Sequence, residues 1–415
     1  MGQLKHLIVF RDLLQDDLLK NVAAVSKLNE QDDRFFDTTA QLVQRAEEVG
    51  LEGNLFVEYL LYRIGQAENV FSSTAEKNGG RIGKSLFQAV IRDVEILKAF
   101  CKESQAISYT ESVLSDYHPT HRMMNSGHSR LREYFLDLSQ SYSAEEVVEM
   151  LSGYYRTHGC GDMMNYFAFR WDSERGLVGI SQCDDVKLDD IVGYERQKRV
   201  LLQNTEAFIA GRPANNVLLV GARGTGKSSS VKAIANRYAE KGLRLVEVSK
   251  NDLNQLHDIM DELRRWGKRF ILFLDDLSFE EFEVEYKQLK SVMDGGVAIK
   301  PDNVLIYATS NRRHLVREVW KDRAGDEVHQ MDTVNEKISL SDRFGIVLTY
   351  NTPNQDEYLK IVEEIAKRSK ITVSSEEIRA EALKWEIAHS GRSGRTARQF
   401  ITHLAGKSPQ PDNLQ

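Results

Sequence analysis

The sequence predicts an α/β protein: a parallel-sheet core with a small C-terminal helical lid, preceded by a mainly helical N-terminal domain containing a β-hairpin. Short apolar runs typical of buried parallel strands alternate with helical patterns over residues 181–350. Helical spacing dominates on both sides of that region, apart from one stretch of period-two alternation near its start. The expected segments are an N-terminal domain at 1–180, a core at 181–350, a lid at 351–406 and a disordered tail at 407–415.

The composition is that of a soluble globular protein with room for two or three domains. The chain has 415 residues, of which 41% are hydrophobic and 28% charged. No apolar run approaches the roughly 20 residues of a membrane span, and no signal peptide is expected. Three scattered cysteines favour a reducing cytoplasm. Residues 1–180 hold 19 Lys and Arg against 26 Asp and Glu, which gives nucleic-acid binding by this region little support.

The N-terminal domain is predicted to be helical until its hairpin. Apolar residues follow helical spacing from the start, over residues 4–25. Ser143 and Glu146 form a predicted capping box, and alternation predicts the hairpin at residues 167–180. The histidines of this domain include His118, His121 and His128. Their spacing matches no zinc pattern, which favours ordinary loop residues over a metal site.

One segment fits the phosphate-loop pattern G-x-x-x-x-G-K-[ST]. Its residues are Gly221, Ala222, Arg223, Gly224, Thr225, Gly226, Lys227 and Ser228. An apolar run precedes it and helical spacing follows, which is the context that the motif requires. Glycines let backbone N–H groups approach triphosphate oxygens, Lys227 adds a charge at the β and γ phosphates, and Ser228 offers a hydroxyl to Mg²⁺. The sequence therefore predicts a nucleoside triphosphate site, with Ser229 as a further contact.

A second apolar run ends in two acidic residues. Residues 270–274 are apolar and are followed by Asp275 and Asp276. Because parallel strands end at one edge of a sheet, these carboxylates are expected beside the phosphate loop. Asp275 is the candidate for contacting Mg²⁺ through water, and Asp276 for orienting or deprotonating the attacking water. An exposed turn at the strand end is the alternative.

Other candidates lie around the predicted sheet. Ile191 and Val192 come ahead of the phosphate-loop strand and can form a wall for an adenine ring, although a simple domain-entry turn also fits them. Asn311 follows another predicted strand, where it could hold the attacking water. Arg343 precedes the last predicted strand, and Arg395 opens the last helix of the lid.

The order of these features resembles the AAA+ ATPase module, over about residues 185–406. The resemblance implies a P-loop NTPase core of αβα type that binds ATP with Mg²⁺ beneath a helical lid. It identifies residues 221–228 as Walker A, Asp275 and Asp276 as Walker B, Asn311 as sensor 1, Arg343 as the arginine finger and Arg395, or alternatively Arg398, as sensor 2. Residues 286–291, 294–296 and 303–315 resemble most closely a bacterial AAA+ family labelled domain of unknown function 815. An arginine finger requires a neighbouring subunit, so a homo-oligomer is expected unless Arg343 is an ion-pair residue of its own subunit.

One position departs from the AAA+ pattern. Most such modules have glutamate after the Walker B aspartate, whereas this chain has Asp276, which is one methylene shorter. Hydrolysis is therefore expected to be slow or to use a second water. Glu280 and Glu281 are an alternative base, although solvated charges of the next helix are favoured.

Three functions fit these residues. The first is an ATP-driven remodelling or loading ATPase whose N-terminal domain holds an unknown macromolecular client. The second is a nucleotide-dependent switch that binds a protein or DNA partner and barely hydrolyses ATP. The third, a small-molecule kinase, is disfavoured by the helical lid. No membrane partner is expected.

Overall fold

The structure is a computed structural model. It describes residues 4–25, 33–106, 114–120, 126–136, 142–277, 284–294, 300–311, 342–369, 371, 373–389 and 391–407. The chain divides into two compact units. The first consists of Met1–Tyr166 and Trp266–Lys268, and the second of Phe167–Arg265 and Arg269–Gln415.

The first unit is built from helices, as the apolar spacing predicts. Their bounds are α1 Asp17–Val25, α2 Asp33–Val49, α3 Leu55–Gln66, α4 Val70–Lys77, α5 Lys84–Ala106, α6 Ser126–Leu136, α7 Ala144–His158 and α8 Asp162–Asn165. Their apolar faces form one core that includes the fully buried Leu60, Phe71 and Tyr155. The predicted capping box is present at the start of α7, where the Ser143 Oγ accepts from the Glu146 N–H at 3.2 Å.

The start of the chain differs from the continuous helix that its spacing predicts. Two short 3-10 helices, Leu4–His6 and Arg11–Gln15, precede α1. The buried Asp93 carboxylate of α5 accepts the N–H groups of residues 8, 9 and 10 at 3.0, 2.7 and 2.9 Å. Because these N–H groups bond to a carboxylate instead of to earlier carbonyls, an α-helix cannot run through them. Leu4, Leu7 and Leu13 are buried, although Ile8 is exposed, so the spacing is right about most of the core and wrong about the backbone.

The histidines of the first unit have carboxylate neighbours. His118 Nδ1 lies 3.2 Å from Glu52 Oε1, and the buried His128 Nε2 lies 2.8 Å from Glu58 Oε2. His121 lies outside the described residues. Over the part of the chain that the structure describes, there is no group of three or more potential ligands arranged for a metal ion.

The second unit is organised by a seven-stranded sheet in the order β2-β1-β4-β5-β6-β3-β7. The strands are β1 Ala168–Asp172, β2 Gly176–Gly179, β3 Val217–Gly221, β4 Leu243–Glu247, β5 Arg269–Leu274, β6 Val304–Ser310 and β7 Ile346–Tyr350. Only β1 and β2 pair antiparallel in this sheet, and its other neighbouring strands pair parallel. The helices of this part are α9 Glu195–Ile209, α10 Lys227–Tyr238, α11 Leu256–Arg264 and α12 Val284–Asp294. This topology confirms the predicted α/β class.

The predicted hairpin is present as β1 and β2, but it belongs to the sheet. Strand β1 pairs parallel with β4, and Phe169 lies opposite Val246. The hairpin therefore extends the sheet by two strands, and the second unit begins at residue 167. The domain boundary expected at residue 180 therefore lies 13 residues after the start of the second unit at residue 167. Period-two alternation identifies a strand but does not show which sheet the strand joins.

The helical lid is present as three helices, α13 Gln355–Arg368, α14 Ser375–Ala388 and α15 Gly394–Lys407. They share an apolar cluster of their own, against which Val192 of the core packs. Arg368 binds the core by donating to Asp190 Oδ1 at 2.8 Å and to the Asp189 carbonyl at 2.6 Å. No described helix is both long and apolar enough to cross a membrane. The expected tail lies outside the described residues from residue 408 onward.

Candidate functional site

The phosphate-loop motif joins β3 to α10 at the carboxyl edge of the parallel sheet. Strand β3 is buried between β6 and β7 except at its last residue, Gly221, and α10 begins at Lys227. The Lys227 ammonium donates to the carbonyls of Gly221 and Ala222 and to Asn311 Oδ1, at 2.8, 2.8 and 2.9 Å. The lysine is therefore held against its own loop with its charge at the sheet edge.

Burial lowers the pKa of Lys227 below its ordinary value. The carboxylates of Asp276 and Asp275 act in the opposite direction, and the guanidinium groups of Arg395 and Arg223 add to the lowering. The electrostatic neighbours of this ammonium thus come from the loop, the end of β5 and the lid.

Asp275 and Asp276 follow β5 at the same edge, as the sequence predicts. Asp275 Oδ1 accepts from Ser228 Oγ at 2.6 Å and from Thr309 Oγ1 at 2.5 Å. The loop hydroxyl and the strand-end carboxylate are therefore already together. Hydroxyl and carboxylate oxygens are donors that Mg²⁺ prefers, so this set fits the ion that a triphosphate site would require.

Asp276 is held from three sides. Its N–H donates to Thr309 Oγ1 at 2.9 Å, and its Oδ1 accepts from Asn311 Nδ2. Arg223 lies 3.9 Å from the other carboxylate oxygen, in an exposed pair that contributes little to stability. The backbone of Asp276 is left-handed, with φ of 51°.

These groups line a cavity of about 880 Å³. Its lining residues are Asp190, Ile191, Val192, Tyr194, Arg223, Gly224, Thr225, Gly226, Lys227, Ser228, Ser229, Asp275, Asp276, Thr309, Asn311, Ile361, Ile365, Gly394, Arg395, Arg398, Gln399, Thr402 and His403. The volume is ordinary for a small-molecule site. One side is apolar, from the segment before α9 and from the lid, and the other side holds the lysine and the carboxylates. This division suits a ligand with an apolar ring at one end and anionic groups at the other.

The cavity brings together most of the residues predicted from the sequence. Gly221 and Ala222 do not line it, but their carbonyls hold Lys227. Both lid arginines that the resemblance offers, Arg395 and Arg398, line it. Glu280 and Glu281 lie outside the described residues.

Several lining residues were not predicted. They are Asp190, Tyr194, Thr309, Ile361, Ile365, Gly394, Gln399, Thr402 and His403. Thr309 lies on the buried strand β6, two residues before Asn311. Because side chains of a strand alternate between its two faces, residues 309 and 311 are expected on the same face, and this rule would have identified Thr309. Ile361 and Ile365 share one face of a lid helix, but nothing in their spacing distinguishes a cavity wall from a core.

Arg343 lies away from this cavity. It precedes β7, which pairs in parallel with β3 from its first residue to its last. The loop follows the carboxyl end of β3, so Arg343 lies near the amino edge of the sheet. A strand of five residues spans roughly 15 Å, which is too far for the arginine to reach its own phosphate loop.

The parallel sheet, the phosphate loop and the helical lid have the arrangement of an AAA+ P-loop fold. The family model described as "Protein of unknown function (DUF815)" matches residues 164–408, and the chain belongs to that family.

Curated relatives are similar over shorter stretches. The chain is 36% identical to a replication factor C large subunit from Staphylothermus marinus over 74 residues, 18% of this chain and 17% of the relative. It is 28% identical to a probable spastin homolog from Brugia malayi over 153 residues, 31% of this chain and 34% of the relative. It is 26% identical to the chaperone protein ClpB from Meiothermus ruber over 184 residues, 39% of this chain and 20% of the relative. The chain thus spans only 17 to 34% of the length of these relatives.

Among solved structures, the chain is similar to RuvB from Thermotoga maritima, which is described as a Holliday junction branch migration motor. The TM-score is 0.36 at 20% identity, with 53% of this chain and 64% of that chain covered.

Proposed function

We propose that this protein binds ATP with Mg²⁺ in the cavity above the phosphate loop, hydrolyses it, and uses the reaction to remodel or load a macromolecular client. The observation that supports this most directly is the contact of Ser228 Oγ with Asp275 Oδ1 at 2.6 Å. Two chain segments 47 residues apart meet there with the oxygen donors that a nucleotide-bound Mg²⁺ needs.

Each residue has a distinct part in the proposed reaction. Lys227 neutralises charge on the β and γ phosphates, and Ser228 and Asp275 hold Mg²⁺, the latter through water. The ion supplies charge neutralisation for the phosphate oxygens. Asp276 accepts a proton from the attacking water through Oδ2, the oxygen that does not bond to Asn311. Water oxygen then bonds to the γ-phosphorus as the bond to the β-phosphate oxygen breaks, giving ADP and phosphate.

The nucleobase of the bound nucleotide is proposed to be adenine, held on the apolar side of the cavity. Ile191 and Val192 of the core and Ile361 and Ile365 of the lid all line the cavity, and together they offer a ring an apolar surface. The lid arginine Arg395 then contacts the phosphates from above, with Arg398 as the alternative.

A homo-oligomer follows from the position proposed for the arginine finger. Arg343 lies near the sheet edge opposite to its own phosphate loop, so it can act only on the nucleotide of a neighbouring subunit. We therefore propose that Arg343 completes the site in trans.

The client is proposed to bind the first unit. One relative is a chaperone by name and another is a replication factor by name, which is compatible with a protein or a DNA client. The acid excess of residues 1–180 favours a protein.

The second candidate is a nucleotide switch with little hydrolysis. The observation that favours it is the hold of Asn311 on the Asp276 carboxylate, which occupies one oxygen of the proposed base. Purified protein that turns over many ATP per minute without a partner would contradict this candidate.

The test of the main proposal is ATP binding by Lys227→Ala. The loss of two charge-assisted contacts, each worth about 1.5–3 kcal/mol, predicts at least about a 100-fold rise in the ATP dissociation constant. The control is Lys232→Ala on the same helix, where the lysine pairs with Asp184 at 3.1 Å outside the cavity. An unchanged dissociation constant for Lys227→Ala, measured calorimetrically, would refute the proposal.

A further inference from the structure

The first turn of the lid helix α15 lies directly on the phosphate loop. The Arg395 N–H donates to the Gly224 carbonyl at 3.3 Å. A Cβ on Gly224 would come within 2.8 Å of Ser393 Oγ, and a Cβ on Gly394 would come within 3.3 Å of the Gly224 carbonyl oxygen. An added Cβ would therefore clash at Gly224, where φ is also 78°, and would be crowded at Gly394, so glycine at both positions suits the close approach of the two backbones.

The turn that makes this contact is fixed within the lid itself. Ser393 Oγ accepts from the Thr396 N–H at 3.1 Å, and the Ser393 carbonyl accepts from the Ala397 N–H at 3.0 Å. Ser393 and Thr396 are both buried. Ser393 thus caps α15 and sets the direction in which the helix leaves the loop.

The peptide that joins Gly224 to Thr225 has two sides. In a trans peptide the carbonyl and the N–H point in opposite directions, so the Thr225 N–H points away from Arg395. Backbone N–H groups of a phosphate loop are its phosphate donors. One peptide can therefore bind the lid through its oxygen and a phosphate through its nitrogen, and any reorientation of this peptide changes both contacts.

We propose that Ser393 and Gly394 are positioning residues that hold α15 against the Gly224 carbonyl. This contact sets Arg395 over the phosphates, and it lasts only while the Gly224–Thr225 peptide keeps its present orientation. The inference rests on the proposed function, because it requires the loop to bind phosphate. It assigns the transmission from nucleotide to lid to one backbone hydrogen bond and a pair of glycines.

The first test needs no nucleotide. Gly394→Ala is compared with Gly406→Ala in the same helix, where an added Cβ meets no atom within 4 Å. Both variants replace glycine with a better helix former, but only the first crowds the loop. Amide hydrogen exchange over residues 394–398 should be about fivefold faster in Gly394→Ala than in the wild type, the ratio expected for one lost hydrogen bond. In Gly406→Ala it should not be faster. Equal exchange in the two variants would overturn the proposal.

The second test measures dissociation constants for ATP and ADP. Gly394→Ala should weaken ATP binding at least about fivefold and ADP binding less, because Arg395 is set over the outer phosphates. Gly406→Ala should match the wild type. Ser393→Ala, which adds no atom and removes the cap together with the bond to Thr396 Oγ1, should shift both readouts in the same direction and serves if Gly394→Ala does not fold.

The outcomes separate the two proposals. Wild-type protein that binds ATP, with Gly394→Ala and Ser393→Ala unchanged in both readouts, overturns the positioning role alone. Wild-type protein that does not bind ATP overturns the proposed function and the positioning role with it.

Discussion

Replacing Thr309 with valine should raise the Mg²⁺ concentration at which the protein binds ATP half-maximally. Thr309 is buried on β6, and its Oγ1 donates to Asp275 Oδ1 at 2.5 Å while accepting the Asp276 N–H at 2.9 Å. Valine keeps the shape of the side chain and removes both bonds. The Asp276 N–H retains Asp275 Oδ1 as an acceptor at 3.2 Å, so it is not left without a partner.

The magnitude follows from the bonds that are lost. A hydrogen bond to a charged group contributes about 1.5–3 kcal/mol, and part of that is recovered through the remaining contacts. We expect the free energy of unfolding to fall by about 2 kcal/mol. If about 1.4 kcal/mol of the lost bond had served to orient Asp275, half-maximal Mg²⁺-dependent ATP binding should need about ten times more Mg²⁺.

The assay is a Mg²⁺ titration of ATP binding, with thermal unfolding measured in parallel. Thr205→Val is the matched control, because the buried Thr205 Oγ1 bonds to Tyr307 OH at 2.7 Å and does not line the cavity. Thr205→Val should lose comparable stability while its Mg²⁺ requirement stays unchanged. Thr309→Ser, which keeps the hydroxyl, should restore both the stability and the Mg²⁺ requirement. An unaltered titration in a destabilised Thr309→Val would refute the positioning of Asp275 by this hydroxyl.

Two further predictions concern assembly and thiol chemistry. Arg343→Ala should bind ATP but not hydrolyse it, and mixing it with Lys227→Ala should restore ATPase activity, since each variant supplies what the other lacks; no activity in the mixture would contradict a finger acting in trans. Burial raises the pKa of Cys101 to about 12 and also raises that of Cys160, whereas Cys183 is only partly buried. A thiol reagent at pH 8 should therefore label Cys183 first in the native protein and all three cysteines after unfolding, and labelling of Cys160 as fast as Cys183 would contradict this.

The strand and loop pattern of the core was predictable because its signals are local. Residues 217–220 and 270–274 are short apolar runs, and they lead into the phosphate loop and the acidic pair at the carboxyl edge of the parallel sheet. What the spacing of residues cannot give is which segments from elsewhere complete the cavity, and so Ile361, Ile365 and His403 were missed.

The loop glycines illustrate how a correct motif can have an incomplete explanation. From the sequence, Gly221 suits the approach of phosphate. In the structure, a Cβ on Gly221 would lie 2.0 Å from the Tyr350 carbonyl oxygen of β7, the residue that it pairs with in the sheet. Gly221 is therefore required by the neighbouring strand, a constraint that no local pattern contains.

The aspartate at position 276 has a reason in the backbone. After β5 the chain turns so that the N–H groups of Asp276 and Leu277 both reach Thr309, through its hydroxyl at 2.9 Å and its carbonyl at 2.7 Å. That turn gives Asp276 a φ of 51°, a region in which aspartate is several-fold enriched among residues other than glycine. The shorter acid thus suits the bend that β6 imposes.

Asn311 links the side chain of Asp276 to Lys227 of the phosphate loop. Asn311 accepts from Lys227 through Oδ1 and donates to Asp276 through Nδ2, so its orientation is fixed by both neighbours. A phosphate oxygen that draws the Lys227 ammonium away from Asn311 removes one of the two contacts that fix the amide. We expect the hydrogen bond from Asn311 Nδ2 to Asp276 Oδ1 to weaken when the proposed substrate binds. If ATP is hydrolysed here as proposed, we expect the rate to depend on how completely Asn311 releases the carboxylate as well as on the missing methylene.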